Sequence, residues 1–181
     1  MPVLETPIAG LLIFEPSVFA DERGYFFESY NQRAWEAAGV TNVFVQDNQA
    51  RSTQGVLRGL HYQTGDMAQA KLVRVTEGEV LDVVVDLRQN SKTYGHWYSI
   101  RLSAENKRQL LVPRGFAHGY LVLSPTAEFC YKCDNFYAKD KEGGLRFDDP
   151  TLVIDWQFDL TQVLVSEKDM DLPYFGKHKP V

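Results

Sequence analysis

Apolar and polar residues alternate in short runs along nearly the whole chain, and this limits the fold more than any other feature. The segment 78–88 reads GEVLDVVVDLR. Leu81, Val83, Val85 and Leu87 fall on one face, and Val80, Asp82, Val84 and Asp86 fall on the other. That predicts a strand with one dry face and one partly polar face. Runs of the same kind cover 11–15, 25–30, 44–50, 56–63, 70–76, 97–102, 109–112, 120–123 and 128–137. Turn chemistry separates them at Asp21-Glu22-Arg23-Gly24, Gln54-Gly55, Glu77-Gly78 and Pro113-Arg114-Gly115. Only 32–38 reads clearly as helix, with Asn31 as cap and Gly39 as stop, while the tail from Ser166 can add a short turn. Many short strands at regular spacing predict an all-β sandwich or barrel with few short helices, not alternating β/α units. No repeat, linker or low-complexity stretch is visible, so a single domain is expected over residues 1–181.

Composition narrows the classes of function. The 181 residues suffice for one domain with a real core, and 44% hydrophobic with 13% aromatic content excludes intrinsic disorder. No apolar run approaches the ~18 residues of a membrane span. The run at 8–14 is brief and has no Lys or Arg before it, unlike a secretory signal. The expected setting is cytoplasmic, with no membrane partner. Acidic residues number 24 against 19 basic ones, a net charge of −5. Such a balance disfavours nucleic acid, which wants a basic face. A small anionic ligand would need a local basic pocket. Cys130 and Cys133 form a C-x-x-C whose flanks read as strand, so the two thiols point to opposite sides. With no second such pair, they read as two ordinary reduced cysteines rather than a redox or zinc site.

Three segments carry ionisable groups inside apolar runs. In Val56-Leu57-Arg58-Gly59-Leu60-His61-Tyr62-Gln63, a lone histidine reads as structural, yet Arg58 three residues away asks for an anionic partner. In Gln69-Ala70-Lys71-Leu72-Val73-Arg74-Val75, Lys71 shares a face with Val73 and Val75. It reads either as a lysine snorkelling at a strand end or as a cation facing a developing oxyanion. In Val112-Pro113-Arg114-Gly115-Phe116-Ala117-His118-Gly119, a tight turn delivers a histidine onto the next strand. This P-x-G-x-x-H pattern resembles that of the small jelly-roll barrels called cupins. Metal-binding cupins use an H-x-H pair, a Glu and a later His. Here His61 stands alone and position 63 is Gln, while His96 and His178 lie outside these motifs. The chain therefore resembles a cupin without its metal.

A more specific resemblance follows. D-E-R-G-Y-F (21–26), F-V-Q-D-N (44–48), L-R-G-L-H-Y-Q (57–63), K-L-V-R-V (71–75), V-D-L-R (85–88), P-R-G-F-A-H-G (113–119), Y-K-C (131–133) and S-E-K-D (166–169) occur in the order and spacing of one family. The chain resembles the dTDP-4-dehydrorhamnose 3,5-epimerases over residues 10–171, nearly its whole length. The resemblance implies a homodimeric cupin-type jelly-roll barrel without metal or cofactor. Its implied partner is a dTDP-linked 4-keto-6-deoxy sugar, dTDP-4-dehydro-6-deoxy-D-glucose, inverted at C3 and C5.

That chemistry needs a base on one face of the sugar, an electrophile for the enolate at the C4 oxygen, and an acid on the other face. His61 fits the base and Asp169 the carboxylate that fixes its tautomer. Lys71 fits the electrophile. Tyr131 fits the acid, given a cationic environment that lowers its pKa; its parity with Phe129 and Cys133 makes that apolar strand face the cavity face. Arg23, Arg58 and His118 suit the diphosphate and sugar. Glu28, Gln46, Asp47 and Asn48 suit polar groups of the ligand, from the same chain or a partner. By family position Tyr137 stacks on the thymine, on the same strand face as Tyr131 if that strand stays regular, and Glu142 and Lys168 are further carry-overs. Three other readings stay open: an epimerase of C3 or C5 alone, a metal-dependent cupin oxygenase or isomerase, and a non-catalytic cupin that binds sugar nucleotides.

Overall fold

The structure, a computed structural model, describes residues 2–181. Its strands are β1 (Val3–Glu5), β2 (Leu12–Phe14), β3 (Phe19–Asp21), β4 (Gly24–Phe26), β5 (Gln46–Thr53), β6 (Leu57–Gln63), β7 (Lys71–Glu77), β8 (Glu79–Asp86), β9 (Trp97–Ser103), β10 (Gln109–Val112), β11 (Phe116–Val122), β12 (Thr126–Cys133) and β13 (Glu142–Gly144). Two short helices are α1 (Gln32–Ala37) and α2 (Glu167–Met170). A six-stranded sheet runs β1-β2-β10-β7-β12-β5, and a five-stranded sheet runs β13-β6-β11-β8-β9. From β5 onward the chain passes repeatedly between the two sheets, the jelly-roll pattern. Among the described residues no helix is long and apolar enough to cross a membrane.

Three apolar layers follow from the alternation. Between the sheets, Val73, Val75, Leu110, Val112 and Phe129 of the large sheet meet Val80, Val84, Leu102, Phe116 and Val122 of the small one. The outer face of the small sheet, with Leu81, Val83, Val85 and Leu87, is covered by Leu145, Phe147, Leu152, Ile154 and Trp156. The outer face of the large sheet is covered through α1, whose Trp35 stacks on Phe14 at 3.6 Å between centroids. The two-faced reading of β8 therefore holds in its division, but its second face is equally dry. Asp82 and Asp86 are both fully buried, Asp82 between the sheets and Asp86 against Arg88, Ser91 and Thr93 of the turn that follows β8.

Helix α1 begins where expected: the Asn31 side chain accepts from the Ala34 N–H, and Gly39 beyond its end has φ +84°. Two expected strands are shorter. The run at 25–30 stops at Phe26, where pairing with β3 ends at Phe19↔Phe26. The run at 128–137 stops at Cys133, the last residue with a partner in β5. Asp134 then accepts from Ala70 N, Asn42 Nδ2 and Arg114 Nε, which ties the chain into a loop. The strands β1, β3 and β13 are three residues each, too short to show a period in the sequence.

Candidate active site

The site is built where β6 and β11 press together. Gly59 has φ +119°, and a Cβ there would lie 2.7 Å from Gly119 Cα and 2.8 Å from the His118 carbonyl oxygen. Only glycine fits. The pairing shifts register at this point, between His118 and Tyr120. In a regular strand Arg58 and His61, three apart, would face opposite ways. The irregularity turns both into one cavity, while Leu57, Leu60 and Tyr62 pack into the outer core.

That cavity, of about 460 Å³, lies between the sheets and is lined from β6, β7, β11, β12 and the segment 164–169. A second hollow of about 290 Å³ adjoins it, sharing His61, Lys71 and Tyr131 and adding Gln46, Asn48, Tyr137 and Glu142. His61 Nε2 lies 2.6 Å from Asp169 Oδ1. Asp169 is delivered by α2, whose cap Ser166 accepts from the Asp169 N–H, and its Oδ2 accepts from Gly59 N at 3.2 Å. Burial alone would raise the Asp169 pKa, but the His61 hydrogen bond and charge and the Gly59 N–H outweigh it and hold the carboxyl below its ordinary value. A charged Asp169 accepts from Nε2–H, which leaves Nδ1 of His61 as the basic nitrogen.

Lys71 and Tyr131 stand on the opposite sheet, on the neighbouring strands β7 and β12. The Lys71 nitrogen is 5.9 Å from the centre of the Tyr131 ring. Burial pushes the Lys71 pKa down, against the pull of Cys133, Asp82 and Glu142. Burial also raises the Tyr131 pKa, with Cys133 and Tyr120 adding to it and Arg58 opposing. This corrects the expectation of a phenol with a lowered pKa: desolvation prevails over the Arg58 charge and raises it.

The remaining expected residues fall in four places. Arg58 and His118 line the cavity, with Arg58 Nε donating to Ser52 Oγ at 3.1 Å. Gln46, Asn48, Tyr137, Glu142 and Lys168 gather at its mouth. There Lys168 Nζ donates to both Glu142 oxygens at 2.6 and 2.7 Å, and the Tyr137 hydroxyl donates to Glu142 Oε2 at 3.1 Å. Tyr137 arrives by the loop after β12 rather than on a continued strand, so the parity expectation fails although the residue reaches the mouth. Asp47, on the other face of β5 from Gln46 and Asn48, pairs with Lys132 at 2.7 Å in a groove on the outside of the large sheet. Arg23 and Glu28 lie outside the cavity altogether. Arg23 pairs with Asp21 on the exposed β3–β4 hairpin, and Glu28 accepts from Asn31 Nδ2.

Gln63 Oε1 accepts from Ala138 N at 2.9 Å, an anchoring bond for the loop behind the site. Among the described residues no three His, Cys, Asp or Glu side chains stand together as a metal site. Cys133 is buried beside the cavity, Cys130 is on the opposite strand face, and both are free. One site residue was missed from sequence. Asp82, buried on β8, places Oδ2 2.9 Å from Nε2 of His118. Its signal was an acid within an apolar run, but its partner depends on a register that one sequence does not display.

Comparison with known proteins agrees with this geometry. Residues 5–177 match the family model described as dTDP-4-dehydrorhamnose 3,5-epimerase. The chain is 54% identical over 172 residues to the Shigella flexneri protein of that description, covering 94% of each. It is 56% identical over 170 residues to that of Pseudomonas aeruginosa, covering 93% of each. In structure it is similar to the Elizabethkingia anophelis dTDP-4-dehydrorhamnose 3,5-epimerase, with a TM-score of 0.93 at 55% identity over 97% of both chains. It is also similar to the Legionella pneumophila dTDP-6-deoxy-D-glucose-3,5-epimerase in complex with dTDP-4-keto-L-rhamnose, with a TM-score of 0.93 at 47% identity over 97% of this chain and 93% of that one.

Proposed function

Because the chain belongs to the dTDP-4-dehydrorhamnose 3,5-epimerase family, we propose how the side chains of its cavity divide the work of inverting two sugar carbons. The enzyme is an isomerase that converts dTDP-4-dehydro-6-deoxy-D-glucose to dTDP-4-dehydro-L-rhamnose. The protons at C3 and C5 are acidic because each carbanion delocalises onto the C4 oxygen. Nδ1 of His61 removes the proton, with Asp169 holding the ring and balancing the imidazolium that forms. Lys71 stabilises the enolate oxygen, a role worth about 3–4 kcal/mol for one well-aimed group. Tyr131 returns a proton to the opposite face, and solvent then takes the proton from the imidazolium and restores the phenol before the second carbon is inverted. The observation that carries this assignment is the placement of His61 and Tyr131 on facing sheets of one cavity, with Lys71 beside the phenol. A base and an acid on one wall would exchange protons without inverting configuration.

Arg58 takes the diphosphate with its planar fork. Gln46, Asn48, Glu142 and Lys168 hold the nucleotide at the mouth, where Tyr137 offers its ring to the base. Arg23, Glu28 and Asp47 act across a homodimer. The β3–β4 hairpin forms a sheet of its own with Phe19 68% and Phe26 71% exposed. Two strands alone are marginal in water, and an exposed aromatic pair of this kind wants a cover. A second copy supplies that cover and receives Arg23 at its own cavity. Light scattering at micromolar concentration should give twice the chain mass, and a monomer with full activity would contradict this. The reaction uses no metal, so exhaustive chelation should leave activity intact. Incubation with the 4-keto sugar nucleotide in deuterated water tests the activity directly: deuterium should enter C3 and C5 of the product.

A further inference from the structure

Tyr120 lines the cavity from β11 and is 5% exposed. Its ring is stacked on Phe129 of the facing sheet, with 4.0 Å between centroids and 13° between planes. Yet among the described residues its hydroxyl takes no hydrogen-bond partner. Its polar neighbours Arg58 and Ser52 bond to each other instead, Arg58 Nε donating to Ser52 Oγ at 3.1 Å. A buried hydroxyl left unpaired is costly, and a rigidly held one that faces a ligand cavity is a donor kept for the ligand. We infer that Tyr120 is a specificity-determining residue whose O–H donates to the hydroxyl on C2 of the sugar.

Register singles out that carbon. Across β6 and β11, Arg58 is the direct partner of Tyr120, and His61 that of His118. All four line the cavity. Arg58 holds the diphosphate on C1 and His61 reaches C3, so the carbon between them is C2. Tyr120, beside Arg58 and one strand deeper, meets its hydroxyl. Charge sets the direction of the bond: the Arg58 guanidinium attracts the lone pairs of the phenol and turns its hydrogen away, toward the sugar. Burial raises the Tyr120 pKa although the Arg58 charge pulls it down, so that hydrogen is present at neutral pH. C2 is also the suitable anchor. The C3 hydroxyl swings across the ring when its carbon inverts, whereas C2 keeps its configuration throughout. A donor aimed at C2 therefore holds the ring equally in substrate, enolate and product.

This deepens the epimerase reading and rests on it, and the experiment separates the two. Tyr120→Phe removes one oxygen and keeps the stack with Phe129. With the natural 4-keto sugar nucleotide, KM should rise about tenfold while kcat stays near wild type, because the bond is made alike in ground and transition states. dTDP alone, which lacks the sugar, should bind as before. The 2-deoxy analogue of the substrate should cost the wild-type enzyme a similar factor. On that analogue the variant should lose nothing further, since both changes delete the same bond. Two losses that multiply, or an unchanged KM on the natural substrate, would overturn the inference. Weaker dTDP binding in the variant would also overturn it and assign the phenol to the diphosphate. Wild-type enzyme that exchanges no deuterium at C3 or C5 of the natural substrate would remove the epimerase reading itself, and this inference with it.

Discussion

Two histidine–aspartate pairs stand side by side in this cavity, and the protein tunes them in opposite directions. His61–Asp169 is near the mouth, with side chains 29% and 5% exposed and a contact of 2.6 Å. His118–Asp82 is deep, at 6% and 0%, with a contact of 2.9 Å. Asp169 has a backbone N–H on its second oxygen and a serine hydroxyl in the same capping turn, and its pKa is lowered. Among the described residues Asp82 has no hydrogen-bond partner on its second oxygen, and burial raises its pKa. The same two residue types thus set a carboxyl with a lowered pKa behind a base in one place and a carboxyl with a raised pKa in the other. Environments that push paired groups apart in this way separate basic from acidic roles. Depth makes the difference: full burial prevails at Asp82, whereas at the shallower Asp169 the His61 hydrogen bond and charge, helped by the Gly59 N–H, prevail over burial.

The comparison breaks most visibly at the base. His61→Asn keeps bulk and some hydrogen bonding but has no useful basicity. Proton exchange from substrate should fall by about 10²–10⁴ while calorimetry with dTDP shows binding nearly unchanged. Asp169→Asn should show a related but smaller loss. Rapid C5 exchange in the His61 variant would move the base elsewhere in the cavity.

The next largest effect is a pH dependence. Burial lowers the Lys71 pKa, so the lysine loses its charge at a pH below the ordinary 10.5. Since the charged form stabilises the enolate, kcat should decline on an alkaline limb that begins below that value. Lys71→Arg, which stays protonated, should remove the limb even if its peak rate is lower. A limb unchanged in the arginine variant would assign it to another group.

A third aspartate sharpens the contrast. Asp86 lies on the same face of β8 as Asp82 and is equally buried. It accepts from Arg88 N, Nε and Nη2 and from the hydroxyls of Ser91 and Thr93. Burial would raise its pKa, but these donors hold it at about 2. A depressed carboxyl stabilises the fold above its unfolded pKa. Its contribution is therefore complete above about pH 4 and is lost as pH falls toward 2. Asp86→Asn should cost about 1–3 kcal/mol in urea unfolding near neutral pH with kcat unaltered. A catalytic defect without a stability loss would place Asp86 in the site.

The sequence displays the repeating parts of this molecule well and the singular ones poorly. Alternation placed Leu81, Val83, Val85 and Leu87 together because every second residue of a strand must share a face. It could not place Arg58 beside His61, since Gly59 breaks the period between them. The family strings indicated His61, Lys71, Tyr131 and Asp169 together, and the fold gathers all four at one cavity. Asp82 escaped because its partner is set by the pairing of β8 with β11, a long-range register. The phenol's raised pKa escaped because burial is a property of the folded cavity, whereas the sequence displays only the cations. Arg23 and Glu28 stand outside the single chain's cavity because the β3–β4 hairpin and the residues after it belong to neither main sheet.

The central claim is that removal and return of the proton belong to different walls. Tyr131→Phe deletes one oxygen, changes no charge and removes little volume, so folding and dTDP affinity should stay close to wild type. His61 and Lys71 can still form the enolate, and His61 can hand the proton back to the face it came from. In deuterated water the variant should incorporate deuterium, seen by mass, while the chemically reduced product retains its original configuration. Inversion at the wild-type rate would contradict the two-wall assignment outright.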